Sequence, residues 1–126
     1  YWETICDEVR VCKGMKRMLE AGVNPNRMTI SSDGQGSLPM YSKDGEFLGM
    51  GVGQSSCLLK EVKECVFKAD IPLEIALSTI TSNPAEILRL KGKGKIEEGY
   101  DADLCILDQD LQLVEVIARG KTVYTK

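Results

Sequence analysis

The 126-residue chain contains no histidine. That absence excludes a Ser-His-Asp triad, a Cys-His pair and a histidine-ligated metal site for this chain acting alone. No basic block or stripe appears either. With 16 basic against 19 acidic residues the formal charge is −3, which argues against a nucleic-acid footprint. No apolar run approaches the ~20 residues of a membrane span, and no signal peptide opens the chain. The five cysteines are an odd number and form no C-x-x-C pair. Free thiols in a reducing compartment, hence a cytoplasmic location, are expected. An initiator methionine is missing too, and Tyr1-Trp2-Glu3-Thr4 runs directly into an amphipathic pattern, so a fragment of a longer product is expected. What remains is 43% hydrophobic and 28% charged, the composition of a soluble globular protein with length for one typical domain.

From Asp7 to Ala21, Val9, Cys12, Met15, Met18 and Leu19 recur at three- and four-residue steps. They form one face of a helix that Gly22 stops. A turn at Asn24-Pro25-Asn26 leads to a short strand, Met28 to Ser32, ended by the polar loop Asp33-Gly34-Gln35-Gly36-Ser37. Helix, strand and glycine-rich loop in that order is the rhythm of a βα-repeat architecture. Ser42 to Glu46 is a turn signal between Met40-Tyr41 and Phe47-Leu48, predicting a small hairpin. Gly49, Gly51 and Gly53 suggest a flexible stretch without the spacing of a dinucleotide fingerprint.

Ser55 is the expected cap of a helix whose buried face carries Leu58, Leu59, Val62, Cys65 and Val66. Pro72 opens a further helix to about Thr79, and Asn83-Pro84-Ala85-Glu86 reads as another helix start with Asn83 as N-cap. Beyond Lys91 the character changes. Lys91-Gly92-Lys93-Gly94-Lys95 reads as a solvated, flexible connector. Strands follow at 104–107, 113–117 and 122–124, with a turn at Arg119-Gly120-Lys121.

Asp33 is the candidate for chemistry. A carboxylate at the C-terminal end of a strand, opening a glycine-rich loop, occupies the place where βα-barrel enzymes put catalytic groups. It can ligate a divalent metal or shuttle a proton in hydrolysis, and the glycines flanking Gln35 are expected to leave room for a ligand. Asp-Gly is also a common turn pair. Asp101 and Asp103 read as turn chemistry, and Cys12 and Cys65 as packing residues. Tyr1 and Trp2 are expected to be exposed, and Tyr41 could line the loop.

The run from Met28 to Pro39, with Ser31-Ser32-Asp33-Gly34-Gln35-Gly36-Ser37 at its centre, closely resembles the last-strand segment of bacterial isoaspartyl dipeptidases, zinc-dependent members of the amidohydrolase superfamily. Asp44-Gly45 and Gly51-Val52-Gly53 continue the likeness. Thr81 to Leu88, Gly94 to Gly99, Ala102-Asp103-Leu104, Leu107-Asp108 and Arg119-Gly120-Lys121 resemble the tail of many amidohydrolases. The resemblance implies an α/β fold. Residues 1–90 would be the C-terminal part of a (β/α)8 metallo-dependent hydrolase barrel, and residues 91–126 strands of a small β-sandwich. It also implies two zinc ions in the full-length enzyme, with Asp33 as metal ligand and proton acceptor and donor. Ser37 would bind the α-carboxylate of a β-aspartyl dipeptide substrate, and the full-length protein would be a homo-oligomer. The histidine ligands would lie upstream of Tyr1, so the fragment alone is expected to be inactive and to retain little zinc. Two alternatives stand beside this: another amidohydrolase, dihydroorotase- or N-acyl-deacetylase-like, and a non-catalytic, self-folding interaction module.

Overall fold

The computed structural model describes the backbone of residues 2–5 and the whole of residues 11–126. The exposure expected for Tyr1 and Trp2, and the start of the first helix, lie outside the described residues. Two compact units are present, residues 1–80 and 81–126, which part upstream of the composition change at Lys91.

In the first unit, strand β1 (Trp2–Ile5) pairs in parallel with β2 (Met28–Ser31), Trp2 opposite Met28 and Ile5 opposite Ser31. Helix α1 (Val11–Glu20) connects them, as parallel strands require a crossover. Its end follows from hydrogen-bond demand. Gly22 adopts φ +81° and donates to the Leu19 carbonyl, while Val23 donates to that of Met18, so two orphan carbonyls are satisfied. Asn24 then caps a 3-10 turn over Pro25–Arg27, its side chain accepting from the Asn26 amide at 3.0 Å.

β2 buries Met28 and Ile30 on alternate positions. Their core partners are Val11, Cys12 and Met15 of α1 and Val62, Cys65 and Ala69 of α2 (Cys57–Ala69). Each such aliphatic or thioether side chain contributes about 1.5–3 kcal/mol when fully buried. The cap of α2 differs from expectation. Ser56, not Ser55, occupies the N-cap and makes no side-chain cap bond. A backbone turn does that work: Cys57 and Leu58 donate to the carbonyls of Gln54 and Ser55. Helix α3 (Leu73–Ser78) follows Pro72, and the Thr79 carbonyl after it accepts from the Ile30 amide, tying α3 to β2.

The hairpin forms from β3 (Ser37–Tyr41) and β4 (Phe47–Val52) as a separate two-stranded sheet. Gly49 and Gly51, expected in a flexible stretch, are paired strand residues opposite Met40 and Leu38.

In the second unit, α4 (Ser82–Ile87) starts two residues earlier than the Asn83 cap predicts, with Thr81 as N-cap. Asn83 is buried inside the first turn, and Pro84 remains tolerated there because first-turn amides have no helical partner. Strands β5 (Leu104–Leu107), β6 (Leu113–Ala118) and β7 (Lys121–Thr125) form an antiparallel sheet with β6 in the middle.

Candidate active-site loop

Asp33 lies just beyond the C-terminal end of β2, exposed, with its amide donating to the Ser31 hydroxyl at 3.3 Å. The loop is held by backbone bonds. Gly36 donates to the Asp33 carbonyl at 2.8 Å, Gln35 to the Gly53 carbonyl at 3.0 Å, and Gly53 to the Gly36 carbonyl at 2.9 Å. The left-handed conformations fall on Asp33 (φ +46°) and Gln35 (φ +69°), not on the glycines between and after them. Aspartate tolerates that region better than most residues because its short polar side chain can bond locally.

The glycines serve close approach instead. A Cβ on Gly36 would stand 2.7 Å from Asp33 Oδ2, and one on Gly53 only 2.3 Å from the Asp33 carbonyl oxygen. The space expected beside Gly36 is therefore filled by Asp33 itself, and a Cβ on Gly34 would stand 3.2 Å from Ser32 Oγ. Gly53 is the residue that sequence reasoning missed here. Its signal was the Gly51-Val52-Gly53 spacing, whose second glycine closes on Asp33 from the end of β4.

Ser37 opens β3 opposite Val52, exposed, four residues along the same loop from Asp33. Tyr41 lies at the far end of β3, edge-on to Phe47 at 6.0 Å between ring centroids. It belongs to the hairpin tip and not to the loop. Beside the hairpin base is an open cleft of ≈ 270 Å³, lined among others by Ser32, Leu38, Val52, Gly53, Cys57 and Lys60.

Asp101 and Asp103, read as turn residues, do more than turn the chain. Lys93 Nζ contacts Asp101 Oδ2 at 2.7 Å and also bonds Asp103 Oδ2, while Asp103 Oδ1 accepts from the Arg119 amide at 2.8 Å. The connector expected to be a solvated, flexible segment is thus clasped. Gly94 is packed as well, since a Cβ there would stand 2.7 Å from the Ala85 Cβ. Cys65 is fully buried beside Met15, and burial with the nearby Cys12 pushes its thiol up to about 12. Cys12 is buried too. The packing role expected of both holds.

Among the described residues no group of three or more His, Cys, Asp or Glu side chains could hold a metal ion. Asp33 is an exposed carboxylate, a donor type that fits as one ligand of a site with several.

A parallel strand pair with a crossover helix, carrying an aspartate beyond a strand's C-terminal end, is the repeating unit of α/β barrels, and the fold is that of part of an α/β metallo-dependent hydrolase. The amidohydrolase family profile matches residues 7–123, and the chain belongs to that family. The family comprises hydrolases and is typically metal-dependent. The β-aspartyl dipeptidase of Fervidobacterium islandicum AW-1, solved in complex with the β-Asp-Leu dipeptide, is 34% identical, with a TM-score of 0.81 over 98% of this chain and 33% of that one. A dihydroorotase of Endomicrobium trichonymphae is 40% identical over 57 residues, 45% of this chain and 14% of the relative. A dihydroorotase of Thermoplasma acidophilum is 29% identical over 100 residues, 79% of this chain and 24% of the relative. The chain thus spans at most about a quarter of these curated relatives. No described helix is long and apolar enough to cross a membrane.

Proposed function

We propose that this chain carries the last catalytic strand of a zinc-dependent isoaspartyl dipeptidase, which hydrolyses β-aspartyl dipeptides in the cytoplasm. The observation that carries the reading is the Asp33 loop: an aspartate at the end of a parallel strand, locked by Gly36 and Gly53, with Ser37 four residues on. The likeness to the Fervidobacterium β-aspartyl dipeptidase over nearly the whole chain supports the substrate class.

In this reading Asp33 contributes one carboxylate ligand, and bound zinc supplies Lewis-acid activation of the attacking water. The carboxylate takes the proton that water loses as its oxygen bonds to the scissile carbonyl carbon. It then gives that proton to the departing amine as the C–N bond breaks, so the net change is addition of one water. An exposed, acceptor-only side chain suits both transfers. Ser37 Oγ donates a hydrogen bond to the substrate's α-carboxylate and orients it.

A second amidohydrolase reading is favoured by the sequence relatives, two of which are dihydroorotases. Turnover of β-Asp-Leu, dihydroorotate and N-acetyl amino acids by the full-length protein separates the two. Preferred hydrolysis of β-Asp-Leu is the expected result; preferred turnover of dihydroorotate assigns the other chemistry. Absence of a His-x-His motif upstream in the reading frame would favour a non-catalytic module.

A further inference from the structure

Helices α1 and α2 pack through the buried side chains Val11, Cys12, Met15, Val62, Cys65 and Ala69. Along their seam lies a groove of ≈ 410 Å³, lined by Cys12, Lys13, Lys16, Glu64, Lys68 and Ala69. That volume suits a small-molecule site. Cys12 and Ala69 are buried, whereas Lys13, Lys16 and Lys68 are exposed. The helical repeat sets this arrangement. Lys13 and Lys16 stand three residues apart on α1, and Glu64 and Lys68 four apart on α2, so each pair shares a helix face. None of these residues belongs to the Asp33 loop or to the cleft beside it, so the inference stands apart from the reaction proposed above.

The charge of the groove is opposite to that of the chain. Three ammonium groups line it against one carboxylate, whereas the whole chain carries −3. Glu64 is already engaged, accepting from Lys68 Nζ at 2.7 Å in an exposed i,i+4 pair. Pairs of that kind contribute little and open readily. Lys13 and Lys16 take part in no ion pair among the described residues. Ammonium groups gathered in one groove repel one another, and an anion seated between them relieves that repulsion. No arginine lines the groove, so the planar fork that matches a carboxylate is missing. Lysines act as point charges and donate to phosphate oxygens from many directions. No aromatic ring lines it either, so a nucleobase finds nothing to stack on. Positive charge on both walls, Lys13 and Lys16 on α1 and Lys68 on α2, suits two linked phosphates.

We propose that the α1–α2 groove binds a diphosphate group, held by Lys13 and Lys16 from one wall and by Lys68, released from Glu64, from the other.

The test is calorimetric titration of the full-length protein with inorganic diphosphate. One diphosphate per chain is expected, bound about tenfold or more tighter than orthophosphate or succinate, because only the diphosphate reaches both walls with phosphate oxygens. Lys13→Gln combined with Lys16→Gln is expected to weaken binding by about tenfold or more. The melting temperature of the unliganded protein should stay unchanged in that variant, because both side chains are exposed. Glu64→Gln removes the competing carboxylate and is expected to tighten binding. Adenosine diphosphate is expected to bind no more tightly than inorganic diphosphate, and tighter binding of the nucleotide overturns the proposal because nothing in this groove reads a base. Undiminished binding to the double lysine variant places the diphosphate elsewhere, on a bound metal for instance, and overturns it too. So does a wild type that takes up no diphosphate, or a Glu64→Gln variant that binds it more weakly.

Discussion

The backbone angle of Asp33 decides how its role is tested. At φ +46° an alanine or a β-branched residue would strain the loop, whereas asparagine is at home in the left-handed region. Asp33→Asn therefore keeps shape and stability while removing the charge and the basic oxygen. General acid–base assistance is worth ~10²–10⁴ in rate, so kcat on β-aspartyl dipeptides is expected to fall by at least ~10² with folding unchanged. Ser37→Ala, whose proposed contact with the substrate carboxylate is remote from the reacting carbonyl, is expected to raise KM more than it lowers kcat. Steady-state kinetics on both variants check this, and near-normal turnover by a folded, metal-loaded Asp33→Asn enzyme would reduce Asp33 to a turn residue. Gly53→Ala is a separate test of the loop. Its Cβ would press on the Asp33 carbonyl at 2.3 Å, a backbone group that cannot rotate aside. Overpacking of this kind costs about 1–3 kcal/mol. A lower thermal midpoint together with reduced kcat is expected, although Gly53 itself touches no reacting atom.

At the scale of elements, the clasp of the second unit is an electrostatic device with a defined pH window. The Lys93 ammonium, then the Arg119 amide, hold the Asp103 carboxyl below its ordinary 3.8. Bonds to Asp101 and Asp103 in turn raise Lys93 above its ordinary 10.5. A carboxyl depressed on folding contributes stability that is present above its ordinary value and lost as pH falls through the folded one. A raised ammonium contributes stability present below its ordinary value and lost as pH rises through the folded one. Asp103→Asn is thus expected to lower the thermal midpoint at neutral pH, with the difference from wild type closing in strong acid. Calorimetry across pH reads it, and a constant difference down to the acid limit would assign Asp103 a purely geometric role. Elements were legible from sequence where one local signal dominated. The spacing of Cys12, Met15 and Leu19, the stop at Gly22 and the short β-prone runs at 104–107, 113–117 and 122–124 all led to the observed elements. Helix starts were not. Ser55 and Asn83 have the side chains of caps, but a backbone turn at 54–58 satisfies the first-turn amides of α2, and α4 begins directly after Thr81. The clasp was also hidden, because Lys93 and Asp103 meet only once the chain has turned back between them. For the same reason Asp33 could be named from its loop, but not the part played by Gly53, which reaches it through the hairpin.

For the whole molecule, the question is which part of a metal centre this chain provides. Catalytic zinc normally takes three protein ligands and structural zinc four. The chain has no histidine, and its described acidic and thiol side chains assemble no group of three. A single exposed carboxylate exchanges with water freely and confers little affinity, since metal binding energy accrues only when several deprotonated ligands converge. The 126-residue chain expressed by itself is therefore expected to retain well under one zinc per molecule after dialysis. The full-length protein is expected to retain zinc, to lose hydrolysis of β-aspartyl dipeptides on chelation and to regain it on zinc addition. Metal analysis paired with activity distinguishes the contributions: Asp33→Asn should lower zinc occupancy of the full-length protein without emptying it, because in the proposed site Asp33 is one ligand among several. Stoichiometric zinc on the isolated chain would mean that its own side chains converge on a metal, and Asp33 would no longer be a lone contributor to a site completed elsewhere.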